Sequence, residues 1–118
     1  MEAKRTAKLM QYLKQHNAFV IVLGGGNVRQ QAGLPDRIVS HKNLPHVVFL
    51  EFKDGYRPLE KLQAYVIDNL NKRNPNSAFV VRFIGEDDLI IEDHLAMVLG
   101  KCKTNTFIGV LARLCINQ

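Results

Sequence analysis

The sequence predicts an α/β fold with a mixed central sheet flanked by helices, and three observations carry that expectation. Apolar residues recur at helical spacing near the N-terminus and again over residues 59–70, the pattern of two amphipathic helices. Apolar, β-branched runs at 47–53 and 78–84 bracket the second helix, and strand, helix, strand is the order of a parallel pair joined by a right-handed crossover. Two strand-like runs in succession, 36–40 and 47–53, suit antiparallel neighbours. With 118 residues and no repeat, linker or low-complexity segment, a single domain over residues 1–118 is expected, large enough to hold its own core.

The first helix is expected over residues 2–16, where Glu2, Thr6, Leu9 and Leu13 share one stripe and Met10 lies beside it. Residues 18–23, AFVIVL, read as a buried strand ending in the glycine run at 24–26. Pro35 makes the next break, because proline has no N–H to give and pushes the residue before it toward extended geometry. A strand then starts at Asp36 and continues to Ser40. A polar connector containing Pro45 leads to VVFLEFK at 47–53, the strongest strand signal in the chain. Pro58 takes the first position of the second helix, which runs to Arg73 and is stopped by Asn74, Pro75 and Asn76. Beyond the strand at 78–84, acids cluster at Glu86, Asp87, Asp88, Glu92 and Asp93. Residues 94–99 and 104–116 are then expected to be helical. The second of these is apolar on more than one side, so it either closes the core or forms a dimer interface.

Several function classes fall away. The longest apolar or glycine stretch, 18–26, is nine residues, against the ~20 that cross a bilayer, so no membrane partner is expected. The first sixteen residues lack the apolar centre of a secretory signal, which points to an intracellular, cytoplasmic protein. Cys102 and Cys115 make neither a CxxC pair nor a disulfide framework and read as free thiols. His16, His41, His46 and His94 have no metal-ligand spacing, and His94 with the two cysteines is a poor zinc set. No GxSxG marks an acyl-transfer serine, and no GK[ST] follows the glycine run as a phosphate loop requires.

The charge balance is more informative. The formal net charge is +5, with nine bases against four acids in residues 1–57 and seven of each in 58–118. A basic half suits a polyanion, since each neutralised phosphate releases counterions; an ordinary solvated surface is the alternative. Within the strand at 47–53, Glu51 and Lys53 stand two apart and project to one side. Asp36 opens the neighbouring strand and brings a second carboxylate alongside. Hard oxygen ligands in that number suit Mg²⁺, which keeps positions open for water and substrate phosphate. A phosphodiester could then be hydrolysed, with Lys53 orienting or deprotonating the attacking water or stabilising the developing charge.

Gly33-Leu34-Pro35-Asp36, then Glu51-Phe52-Lys53, then Gln63 in the following helix resembles the PD-(D/E)XK nuclease superfamily, and within it the small stand-alone VRR-NUC (virus-type replication-repair nuclease) branch. The resemblance covers about residues 2–84 and leaves the last third unmatched. It implies a restriction-endonuclease-like core and a Mg²⁺-dependent DNA endonuclease, with Mn²⁺ able to substitute, directed by DNA structure such as a branch or junction rather than by sequence. Small phage-encoded proteins are among the members it resembles. The resemblance implies Asp36 and Glu51 as metal ligands, the carbonyl of Phe52 as a further one, and Lys53 as catalytic base or stabiliser. Glu2 matches an acid that related nucleases carry on their first helix; the other reading is an N-terminal acid favoured by the helix dipole. Gln63 is expected to touch the active-site lysine, a metal-held water or a phosphate, or else to be a satisfied core amide. Some superfamily members carry a tyrosine four residues after the glutamine, where this chain has Ile67.

Arg29 and Gln30 follow the glycine run, and with Arg37, Lys42, Arg57 and Arg82 they are the candidate DNA contacts. A homodimer is expected, because one metal site cuts one strand and a two-fold pair cuts both. The alternatives are a catalytically inactive nuclease-fold module that binds nucleic acid, and a basic structural protein whose ExK is coincidental.

Overall fold

The computed structural model describes residues 2–23 and 33–116, the side chain of Glu2 excepted. In chain order the elements are α1 (Glu2–Gln15), β1 (Phe19–Val22), β2 (Arg37–Ser40), β3 (Val48–Asp54), α2 (Lys61–Arg73), β4 (Ala78–Phe83), β5 (Asp88–Glu92) and β6 (Val98–Lys103). A 3-10 turn at Thr104–Thr106 then leads into α3 (Phe107–Ile116). The strands form one six-stranded sheet in sequence order. Every neighbouring pair is antiparallel except β3 and β4, which run parallel with α2 as their connection. The expected α/β class, mixed sheet and β2–β3 and β3–β4 pairings are all present.

Alternation along the strands sorts the sheet into two faces. Val48, Leu50 and Phe52 of β3 join Phe79, Val81 and Phe83 of β4 and Leu89 and Ile91 of β5 in the larger core. Leu9, Met10 and Leu13 of α1 and Phe107, Val110, Leu111 and Cys115 of α3 cover it. On the other face Ile67 of α2 packs on Ala78 and Val80, with Phe49, Leu59 and Leu70 at the margin. β4, fifth of its six residues being Arg82, is buried throughout, as a strand covered on both faces should be.

Three expectations are corrected and one alternative is decided. β1 is an edge strand rather than a buried one: among the described residues it pairs with β2 alone, and Phe19 and Val22 are 68% and 61% exposed. The second helix begins at Lys61, not Pro58, because Glu60 is extended (φ −68°, ψ 154°) and its N–H donates to Gln63 Oε1 at 3.0 Å. This is one half of a capping box, which fixes the helix start where Gln63 can reach back. Residues 94–99 are not helical. Asp93 Oδ1 accepts from the N–H of Leu95 at 2.9 Å and of Met97 at 3.0 Å, an Asx-type turn that competes with helix and leads into β6. Finally, α3 buries Phe107, Val110, Leu111 and Cys115 against β6 and the core, so the tail closes the core. No helix among the described residues is long and apolar enough to cross a membrane.

Neither cysteine is in a disulfide, and burial pushes each thiol up to about 11. At neutral pH the thiolate, the reactive form, is scarce. Iodoacetamide is therefore expected to label Cys102 and Cys115 slowly in the native protein and quickly in urea, as mass spectrometry of timed quenches would show.

Candidate active site

The site grows from the place where β2 and β3 stop pairing. Their ladder ends at the Arg37–Leu50 pair, and one step further the register sets Asp36 opposite Glu51. There the Asp36 side chain takes over from the backbone: its Oδ2 accepts from the N–H of Phe52 at 2.8 Å. The Asp36 carbonyl accepts from the N–H of Leu23 at 2.9 Å and from Arg37 Nη1 at 2.9 Å. Asp36 is thus tied to all three of the first strands, with one carboxylate oxygen against the backbone between Glu51 and Lys53.

Glu51 is 3% exposed. Gln63 Nε2 donates to its Oε2 at 3.1 Å, while Gln63 Oε1 accepts from Glu60. The amide therefore does two things with its two ends, starting α2 and steadying the carboxylate. Both ends of the Gln63 amide are hydrogen-bonded within the protein, as the satisfied-amide reading expects, and the acid itself is one of the partners.

Lys53 is half-buried and sits beside Arg82 in the parallel register. Arg82 is engaged elsewhere: its Nε donates to Glu92 Oε1 at 2.5 Å, and its Nη1 donates to the carbonyls of Gly55 and Arg57. Among the described residues no hydrogen bond or ion pair occupies the Lys53 ammonium.

The backbone ahead of Asp36 depends on Gly33. Its φ is +85°, and a Cβ there would lie 2.7 Å from Leu62 Cγ and 2.9 Å from the Leu62 carbonyl oxygen. Gly33→Ala is expected to cost about 1–3 kcal/mol, read as a lowered urea midpoint, because neither the backbone torsion nor the first turn of α2 can yield freely.

The sequence-predicted residues divide cleanly. Asp36 is hydrogen-bonded to the backbone of Phe52 and Gln63 to Glu51, and Lys53 stands two residues beyond Glu51 on β3. Arg37 is near: its guanidinium lies 5.9 Å from the centroid of the Phe52 ring. Arg57 is exposed in the connection that follows β3. Lys42 lies past the opposite end of β2, roughly 20 Å along the strand direction at ~3.3 Å per residue. Arg82 is 5% exposed and ion-paired with Glu92. The expectation that Arg82 touches phosphate is corrected: its charge is spent inside the sheet face, and Lys42 stands at the wrong end of the strand to serve this site. Glu2 as a metal ligand and Arg29 and Gln30 as DNA contacts lie outside the described residues.

Two features escaped the sequence. Arg5 Nη1 donates to Asp54 Oδ1 at 2.6 Å and to the Phe83 carbonyl at 3.3 Å, anchoring the start of α1 over the ends of β3 and β4. Near it, a cavity of about 400 Å³ is lined by Ala3, Thr6, Ala7, Asp36, Arg37 and Phe52. The acidic tail, meanwhile, is answered internally: Lys8 meets Asp87, Lys103 meets Asp88 and Arg82 meets Glu92.

Among the described residues no three His, Cys, Asp or Glu side chains group as a metal site. The donors at the site are two carboxylates with a backbone carbonyl nearby, a hard-oxygen set. That set suits Mg²⁺, which is bound through one or two carboxylates and completes its shell with water and substrate, and it does not suit zinc. The chain matches no protein-family model and no curated protein sequence.

Proposed function

We propose that this protein is a divalent-metal-dependent DNA endonuclease of the PD-(D/E)XK type, hydrolysing phosphodiester bonds and directed by DNA structure rather than base sequence. The observation that carries the reading is the Asp36 carboxylate held at 2.8 Å from the Phe52 N–H, between Glu51 and Lys53. Two carboxylates and an uncommitted ammonium at the mouth of a splitting pair of strands are what phosphodiester hydrolysis requires.

Asp36 and Glu51 would hold the ion, with the Phe52 carbonyl as a further donor. When bound, Mg²⁺ or Mn²⁺ supplies Lewis-acid polarisation of the scissile phosphate and eases deprotonation of the attacking water. Gln63 keeps Glu51 from turning away. Lys53 orients the water or neutralises the charge that builds on the phosphoryl oxygens, acting as a preorganised cation that needs no rearrangement during the reaction. Arg37 and Arg57 supply positive charge toward the DNA backbone, contacts that fix position without reading bases. A two-fold pair of such chains would cut both strands or both arms of a junction.

The test is an incubation of purified protein with plasmid, single-stranded, flap and four-way junction DNA, with Mg²⁺, with Mn²⁺ and with EDTA. Products are expected with either metal and none with chelator, the branched substrates being cut fastest. Metal-independent products would overturn the mechanism. Tight DNA binding without cutting in either metal would replace it with a binding module.

A further inference from the structure

We infer that the turn after β3 is a stacking platform that separates branched or single-stranded DNA from continuous duplex, with Tyr56 meeting an open base face and the buried Arg82–Glu92 pair positioning it. The inference deepens the nuclease reading and rests on it for the choice of DNA as ligand. The turn is open at its tip and fixed at its base. Tyr56 is 74% exposed with Arg57 exposed beside it, and among the described residues neither side chain has a hydrogen bond or ion pair. The backbone that carries them is tied down. Gly55 turns the chain at φ +62°, a torsion open to glycine, and its N–H donates to the Phe83 carbonyl at 2.9 Å. Arg82 Nη1 donates to the Gly55 and Arg57 carbonyls, and Pro58 holds Arg57 toward extended geometry. Because a buried ion pair is a poor source of stability, the donors that Arg82 commits to this one turn give the pair a positional role.

Place and charge select the ligand. Arg82 follows Ala78 and Val80 along β4 on the face that α2 covers, and Glu51 and Lys53 lie beside Val80 and Arg82 in the parallel register. The turn that Arg82 holds is therefore on the same side of the sheet as Glu51 and Lys53, with Tyr56 three residues past Lys53. The Phe83 carbonyl that accepts from Gly55 also accepts from Arg5 Nη1 at 3.3 Å, so the start of α1 meets the turn at one atom. There Lys4, Arg5 and Lys8, with Glu86, line a cavity of about 380 Å³, and Asp54 is answered by Arg5. An open aromatic ring with cations around it holds a nucleic-acid strand without reading its sequence: phosphates follow the charge and a base lies on the ring. Inside a continuous duplex each base face is covered by its neighbours. A flap or an unpaired strand leaves a face open, so the ring adds affinity only where the stack is interrupted.

Fluorescence anisotropy in EDTA tests this without calling on cleavage, using a labelled flap oligonucleotide and, as competitor, relaxed closed circular plasmid, which has no open base face. Tyr56→Ala is expected to weaken flap binding about tenfold, the worth of one base–aromatic contact, with plasmid affinity and the salt dependence unchanged. Tyr56→Phe, which keeps the ring, is expected to bind as the parent does. The chain has no tryptophan, so Tyr56→Trp adds a single emission, expected to be quenched by flap DNA and not by the plasmid. In the background of Arg82→Met with Glu92→Leu, Tyr56→Ala is expected to cost less than about twofold, because the released turn no longer holds the ring in place. Unchanged flap affinity in Tyr56→Ala, or equal quenching of Tyr56→Trp by both DNAs, overturns the inference. A full tenfold loss in the double background overturns the positioning role of Arg82 and Glu92. Unchanged flap affinity in Tyr56→Ala with Mg²⁺-dependent cutting intact fells this inference alone. A Tyr56 effect on binding that persists where no DNA is ever cut fells the nuclease reading alone.

Discussion

Lys53→Ala is expected to lower Mg²⁺-dependent cleavage by at least ~10²–10³-fold, the usual loss when one preorganised charge is taken from a developing oxyanion, with DNA affinity in Ca²⁺ largely retained. Lys53 makes no internal ion pair or hydrogen bond among the described residues, so its removal disturbs no neighbour and the protein should unfold at its normal urea concentration. Asp36 needs a finer instrument, because the proposal gives it a second job. Asp36→Ala removes the oxygen proposed to bind metal and also strips the Phe52 N–H of its acceptor, mixing chemistry with structure. Asp36→Asn keeps an acceptor oxygen for that N–H while removing the charge. A variant that melts like the parent yet cuts at least ~10²-fold more slowly assigns the carboxylate to the chemistry. Full activity in Lys53→Ala or Asp36→Asn would remove the hydrolytic proposal and leave a basic fold.

The largest effect on stability is expected at a residue that looks like surface in the sequence. Arg82→Met would leave Glu92 buried, 4% exposed, beside a side chain that cannot answer its charge. It would also take a donor from the carbonyls of Gly55 and Arg57. Breaking a buried pair from one side costs about 3–5 kcal/mol, a large share of the ~5–15 kcal/mol that holds a domain together. The double variant Arg82→Met with Glu92→Leu should recover much of it, because two well-packed apolar side chains replace a pair whose attraction is offset by lost hydration. Urea denaturation of the two single variants and the double variant gives the coupling directly. If Arg82→Met unfolds within a few tenths of a kcal/mol of the parent, the ion pair is not holding the 55–57 turn to β4.

Much of the fold was legible because local pattern and final environment agree. VVFLEFK is central and buried, and β3 occupies it. The order of β3, α2 and β4 dictated a parallel pair. The proline before Asp36 announced where β2 would start, and the two-residue spacing of Glu51 and Lys53 announced a shared side. What stayed hidden depends on distant partners. AFVIVL is as apolar as any core strand, and only its place at the sheet margin, set by where the chain turns, exposes it. An arginine in a strand reads as surface unless its glutamate is known to lie across the next strand, as Glu92 does. The run at 94–99 carries the apolar residues of a helix, yet one carboxylate, Asp93, captures two backbone N–H groups and turns the chain. Gln63 was legible as an inward-facing polar residue in α2, but not its partner, because the first helical residue moved by three positions, from Pro58 to Lys61, with Glu60 as the cap.

That shift has a physical corollary. Because one amide both secures the opening turn of α2 and grips Glu51, fraying of that turn also takes a hold off the acid. Helix ends open at far lower free energy than a whole domain. On warming, the alignment of Glu51 would decay while the sheet beneath it is still intact, so that the protein loses its working geometry before it loses its shape.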